Sequence, residues 1–208
     1  MISENKTLDK VYTAKDHDEL MDAYGEWANE YEKDTVDRFG YVAHIESADA
    51  FEQVMSHKGA YILDAGCGTG LVGKELSQRG YQKVDALDCS EQMLGEARDK
   101  KVYHELFQAD MSKRLEFEDN RYDAVICTGT FTYGHVQADA FEELVRITKP
   151  GGIICFTIRE GAFDDCGYQE KMAEMEHGQS WEQVALVDAT YFVKEKVSCK
   201  ICTYRVTA

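Results

Sequence analysis

Apolar and polar residues follow two rhythms along this chain. Over residues 16–34 the rhythm is helical: Leu20, Tyr24, Trp27 and Tyr31 fall at i, i+4, i+7 and i+11, on one face. A second helix is predicted over about 36–55, with Phe39, Val42, Phe51 and Val54 among its apolar positions. From Tyr61 onward, short solid apolar runs take over. Residues 61–64, 83–87, 102–107, 122–127 and 153–158 read as five strands. Helices are predicted between them over 71–79, ended by Gly80; over about 91–100, with Ser90 as its N-cap; and over about 138–148, ended by Lys149-Pro150-Gly151-Gly152. Strands alternating with helices predict an α/β fold whose parallel sheet is covered on both faces. After Gly161 the alternation stops. One helix over about 168–176 is followed by two strand-like stretches, 181–188 and 196–206, with no helix between them. A terminal antiparallel hairpin is expected there, giving seven strands in three layers.

The first strand leads into a turn of unusual composition. Asp64 closes the apolar run, and Gly66, Gly68 and Gly70 follow at alternate positions. Glycine removes Cβ where a backbone must turn sharply or lie against a ligand. The helix that follows offers unpaired N–H groups and a positive dipole end, suited to a carboxylate or phosphate. Asp64, at the strand's carboxyl end, suits a cation. Two ligand classes answer to this pattern. One carries an ammonium, a carboxylate and a nucleoside, as S-adenosylmethionine does. The other is a dinucleotide: G-x-G-x-x-G fails from Gly66 but succeeds from Gly68 through Gly70 and Gly73, with the acidic Asp88 about twenty residues on. In the dinucleotide motif the first glycine closes the strand directly, whereas here Asp64-Ala65-Gly66-Cys67 intervenes.

Charge narrows the partners. The net charge of −16 argues against nucleic acid and against an anionic membrane surface, since phosphate binding needs clustered Lys and Arg. The first residues lack the apolar core of a signal peptide, and no run is long enough to span a bilayer. The seven cysteines are scattered, and several lie in apolar strands, so reduced buried thiols in a cytoplasmic protein are expected. Cys199 and Cys202 have C-x-x-C spacing, but on a strand they point to opposite faces, and no metal site is expected.

Several stretches together resemble the class I S-adenosylmethionine-dependent methyltransferases: Leu63-Asp64-Ala65-Gly66-Cys67-Gly68-Thr69-Gly70, Leu87-Asp88-Cys89-Ser90, Gln108-Ala109-Asp110-Met111, Tyr122-Asp123-Ala124-Val125-Ile126, and Leu144-Val145-Arg146-Ile147-Thr148-Lys149-Pro150-Gly151-Gly152. More narrowly, Tyr24-Gly25-Glu26-Trp27-Ala28-Asn29-Glu30-Tyr31, Thr132-Tyr133-Gly134-His135-Val136 and Phe156-Thr157-Ile158-Arg159-Glu160 resemble the Williams–Beuren-region methyltransferase-like proteins. The resemblance implies one doubly wound, Rossmann-like domain over 1–208, with 1–57 as a helical cap on a core of 58–208. It implies that Asp64 and the Gly66-Gly68-Gly70 turn hold the methionyl end of the cofactor. Asp88 takes the two ribose hydroxyls, Asp110 receives the adenine amino group, and Met111 packs on the ring. Tyr31, Cys67, Cys89 and Thr128 complete the implied cofactor set.

The acceptor side is less defined. His135, in the loop after the fourth strand, is the one histidine near the expected methyl position, as a general base or a substrate donor. Tyr133, beside it, is a second catalytic candidate. Arg159 suits a substrate carboxylate by its planar fork. Tyr24 and Trp27 are expected to shape the acceptor pocket as the N-terminal helices close over the cofactor. The expected activity is methyl transfer to O or N, less readily C, of a small molecule, by a monomer or weak homodimer. A nicotinamide-dependent oxidoreductase and a binding protein without turnover stand as alternatives.

Overall fold

The apolar runs assemble into one sheet. In the computed structural model β1 (Tyr61–Ala65), β2 (Lys83–Asp88), β3 (Leu106–Gln108), β4 (Tyr122–Phe131), β5 (Thr148–Arg159), β6 (Trp181–Phe192) and β7 (Val197–Val206) lie in the order β3-β2-β1-β4-β5-β7-β6. Neighbours are parallel from β3 to β5, and β7 runs antiparallel to both β5 and β6. The fold is therefore the mostly parallel seven-stranded sheet with a C-terminal antiparallel hairpin that the sequence predicts. Residues 17–133 and 136–207 are described; residues 1–16, Gly134, His135, Ala208 and the side chains of His17, Asp18, Leu20 and Met21 lie outside the described residues.

Period-two alternation sorts the strand residues onto two faces. Ile62, Ala124, Ile126, Cys155 and Ile201 pack with Trp27 of α1 (His17–Glu32), Phe51 of α2 (Ala43–Val54), and Val72 and Leu76 of α3 (Leu71–Gln78). Leu63, Val125, Cys127, Phe156 and Cys202 pack with Phe141 and Leu144 of α5 (Ala140–Ile147) and Tyr168 and Met172 of α6 (Tyr168–His177). Cys199 and Cys202 fall on opposite faces as free thiols, which is what strand periodicity requires of that spacing. Between β2 and β3, α4 (Glu91–Asp99) begins with Ser90 as its cap, whose hydroxyl accepts from Met93 N at 3.3 Å.

Four elements depart from the pattern. The predicted 36–55 helix is broken: a π-helix, Lys33–Phe39, ends at Gly40 in the left-handed conformation (φ 71°), and α2 starts only at Ala43. The break frees Tyr41 to form a β-bridge with Phe192, tying the N-terminal segment to the hairpin. The predicted third strand shrinks to Leu106–Gln108, because Tyr103 turns inward. β4 continues to Phe131 through an irregularity at Gly129, whose N–H donates to Thr157 Oγ1 at 2.8 Å. β5 starts at Thr148, five residues before its solid apolar run, and pairs with Tyr122 before a register shift.

The amino-terminal rim of the sheet holds a buried ion pair. Asp85 of β2 is fully buried, and its Oδ2 accepts from the hydroxyls of Tyr61 (2.6 Å) and Tyr122 (3.0 Å) and from Arg121 Nη2 (3.2 Å). The Arg121 guanidinium lies 5.0–5.8 Å from the ring centroids of Phe117, Tyr122, Phe107 and Tyr61.

Candidate functional site

Parallel strand order reverses at β1, with β2 on one side and β4 on the other, so the carboxyl ends of β1 and β4 diverge and open a crevice. Asp64, Asp88 and Asp110 stand along that rim, near the carboxyl ends of β1, β2 and β3.

Asp64 shares the face of Ile62, under α3, and is fully buried. Its Oδ2 accepts the Tyr103 hydroxyl at 2.6 Å, and its Oδ1 has no hydrogen-bond partner. Burial raises its pKa to about 7; the Tyr103 and Gly73 bonds oppose that rise, and the nearby Asp88 charge adds to it. Tyr103 reaches Asp64 because Gly73 has no side chain: a Cβ there would lie 2.3 Å from the tyrosine ring.

The turn is fixed from both sides. Gly66 N and Cys67 N donate to Leu87 O at 2.7 and 3.0 Å. Gly66, Gly68 and Gly70 all have positive φ, which L side chains rarely adopt. At Gly66 a Cβ would also meet Thr130 Oγ1 at 2.3 Å and Met111 Cε at 3.4 Å, so β4 and Met111 close directly on the turn. At Gly68 a Cβ would meet nothing within 4 Å, so this face of the backbone is open.

Asp88 is braced by backbone. Gly68 N donates to its Oδ2 and Ser90 N to its Oδ1, each at 2.9 Å, so the carboxylate is held at both oxygens. Burial pushes its pKa up against those bonds. Cys89, half-buried, places its Sγ 3.8 Å from Asp88 Oδ1, and its carbonyl accepts from Gln108 Nε2. Asp110 makes an Asx turn, with Oδ1 accepting from Ser112 N (2.9 Å) and Ser112 Oγ (2.6 Å) and Oδ2 lying 3.1 Å from Lys113 Nζ. Thr128 is buried with its hydroxyl unpartnered, as is Thr69 inside the glycine turn.

α1 packs against α4: Lys100 pairs with Glu32, and Gln92 covers Gly25. Trp27 is buried, donates to Asp34 Oδ2 at 3.0 Å, and meets Tyr24 and Tyr31 at 6.4 and 4.8 Å between ring centroids. Beyond β4, the exposed Tyr133 donates to Asp165 Oδ2 at 2.7 Å, and Arg159 ends β5. His135 lies outside the described residues.

The structure thus brings Asp64, Gly66, Cys67, Gly68, Gly70, Asp88, Cys89, Asp110, Met111 and Thr128 to one rim, and adds Tyr103, Thr69 and Thr130, which sequence reasoning missed. One signal for Tyr103 was available. A glycine in the first turn of a helix lowers helix propensity, and it marks a close approach. The shifted G-x-G-x-x-G register is accounted for in the same way, since Gly73 makes room for Tyr103. The donor set fits a cofactor with a cationic end and a diol: a buried carboxyl with a free oxygen, a carboxylate braced by backbone amides, and open backbone between them.

Two alanine substitutions test this packing. Gly73→Ala is expected to destabilise the fold by about 1–3 kcal/mol by forcing Tyr103 out of place. Gly95→Ala in α4, where a Cβ meets nothing within 4 Å, should stabilise it by about 0.5–1 kcal/mol. Urea denaturation of both variants checks the signs.

A family model described as a methyltransferase domain matches residues 62–152. Human methyltransferase-like protein 27 is 31% identical over 166 residues, covering 76% of this chain and 66% of that protein. The malonyl-[acyl-carrier protein] O-methyltransferase of Pectobacterium atrosepticum is 31% identical over 147 residues, covering 70% of this chain and 55% of that enzyme. Among solved structures, a methyltransferase in complex with the Haloferax volcanii Trm112 methyltransferase activator superposes with a TM-score of 0.67 at 18% identity, over 89% of this chain and 98% of that one. At that identity the likeness is one of fold. The chain spans just under two thirds of the human relative and about half of the bacterial one.

Proposed function

The chain belongs to the class I S-adenosylmethionine-dependent methyltransferases, and from that membership we propose that it moves a methyl group onto an oxygen or nitrogen of a small molecule by in-line displacement. The observation that carries the reading is the pairing of Asp64, buried with a free oxygen, and Asp88, braced by two amides, on either side of open backbone at Gly68.

In this reading Asp88 accepts both ribose hydroxyls, while the Gly68 and Ser90 amides keep its plane fixed. Asp64 and the Gly66-Gly68-Gly70 turn receive the methionyl end, and the Thr69 and Thr128 hydroxyls complete the pocket. Asp110 faces the adenine amino group, and Met111, Cys67, Cys89 and Tyr31 supply the walls. When bound, the cofactor supplies a methyl group already activated on a sulfonium sulfur. The protein's task is then to orient the acceptor and exclude water, which is worth up to about 7–11 kcal/mol of the barrier. Tyr24, Trp27 and Arg159 shape and orient the acceptor. His135 takes its proton, since the Tyr133 hydroxyl is already committed to Asp165.

The bacterial relatives are named for O-methyl transfer, which supports oxygen as the acceptor atom. The charge of −16 supports an acceptor other than nucleic acid. The test is label transfer from methyl-labelled S-adenosylmethionine into a cell extract, followed by sizing of the product. Label on a small molecule is the expected result. Label on protein overturns the acceptor class, and no label at saturating cofactor overturns the activity. Sedimentation of the purified protein is expected to give a monomer or a weakly associating dimer.

A further inference from the structure

Tyr103 belongs to neither the glycine turn nor a strand end, yet its side chain is built into the site with care. Its ring lies against Gly70 and Gly73 and packs on the cluster that includes Ala97, and its hydroxyl ends on Asp64 Oδ2. Asp64 is fully buried, and its second oxygen, Oδ1, is left without a partner. α3 starts after Gly70 with no side-chain cap, so the Gly73 N–H is one of its orphan donors, and it too serves the Asp64–Tyr103 pair. A carboxyl held on one oxygen by a phenol and free on the other can present that oxygen in one orientation only.

We propose that Tyr103 is the positioning residue for Asp64, aiming its free oxygen at the ammonium of the cofactor's methionyl end, and that binding of this cation expels a proton from the buried pair. The inference rests on the cofactor reading above and deepens it.

The surroundings favour such coupling. The titratable groups facing Asp64 are the Asp88 carboxylate from β2, the Cys67 thiol from the turn, the Cys127 thiol from β4 and the Tyr103 phenol. Burial raises both thiols and the phenol, so these three stay neutral near pH 7. No cationic side chain is among these neighbours. Unliganded Asp64, raised toward neutrality by burial, therefore carries a proton over part of the range around pH 7. An ammonium against Oδ1 favours the ionised form, so the bound state holds fewer protons than the free one. Affinity for the cationic ligand must then rise with pH up to about 7 and flatten above it. The Tyr103 bond lowers the Asp64 pKa. Removing the hydroxyl raises it, and the bend in the affinity profile moves to higher pH.

Calorimetry with S-adenosylhomocysteine between about pH 5.5 and 8.5, in buffers of different ionisation enthalpy, reads both affinity and protons released. The wild-type protein is expected to gain up to about tenfold in affinity per pH unit on the acid side of the bend, and to release a measurable fraction of a proton near neutral pH. Tyr103→Phe, which keeps the ring, should shift the bend upward and release more protons at pH 7. Asp64→Asn should abolish the bend. 5′-Methylthioadenosine, which has the nucleoside but no ammonium, should bind without a bend or proton release. A flat wild-type profile, an unmoved bend in Tyr103→Phe, or the same bend with 5′-methylthioadenosine overturns the inference while leaving the cofactor reading intact. Failure of S-adenosylhomocysteine to bind at any pH overturns both.

Discussion

Replacing Asp88 by alanine is expected to lower the affinity for S-adenosylhomocysteine at least about 100-fold while the sheet stays folded. The two ribose hydroxyls each lose a bond to a charged acceptor, worth about 1.5–3 kcal/mol, and about 1.4 kcal/mol is a factor of ten. A further loss comes from the turn itself. Asp88 is what Gly68 N and Ser90 N bond to, so its removal leaves the open backbone at Gly68 unbraced. Asp88→Asn keeps one acceptor oxygen and should fall between wild type and Asp88→Ala. Asp110→Ala should cost far less, because much of that carboxylate is already spent on Ser112 and Lys113. Titration calorimetry ranks the three, and an Asp88→Ala protein that binds like wild type removes the basis for placing the nucleoside at β2.

What the sequence made legible was local and periodic. Ser90 reads as a cap because its hydroxyl is offered at a helix start, and it caps. Cys199 and Cys202 read as opposite-facing because strands have a period of two, and they face opposite ways. The three rim aspartates read as neighbours because each lies at or just past the end of an apolar run in an alternating α/β pattern, and adjacent parallel strands bring those ends together. What stayed hidden depends on partners far along the chain. Nothing near Gly40 announces that Tyr41 will bridge to Phe192, so one long helix was the simpler expectation. Tyr103 looked like a strand residue because its partners, Gly70, Gly73 and Asp64, lie some thirty to forty positions earlier. The glycine register, ambiguous by spacing, resolves only when the group that fills the space above Gly73 is seen.

Arg121→Met is expected to be the most destabilising single change outside the apolar core, at about 3–5 kcal/mol, because it removes the guanidinium from the fully buried Asp85 and leaves it only the exposed His104 ring, 3.2 Å from Oδ1, and two tyrosine hydroxyls. Over a chain of this size about 1 kcal/mol shifts the melting temperature by about 2–4 °C, so a fall of about 6–20 °C should be visible in a thermal scan. The mechanism is separable from loss of packing. Methionine keeps an apolar chain among Tyr61, Phe107, Phe117 and Tyr122, so the cost it reports is mainly that of the orphaned carboxylate. Asp85→Leu combined with Arg121→Met removes both charges and should recover much of the loss, as replacing a whole buried pair by apolar residues often does. Glu105→Gln, which removes the exposed partner of the same arginine, should change stability by less than about 1 kcal/mol. If Arg121→Met melts like wild type, the pair does not hold the amino-terminal rim. If the double variant is no more stable than Arg121→Met, the hydroxyls of Tyr61 and Tyr122, deprived of their acceptor, and not the orphaned charge, set the cost.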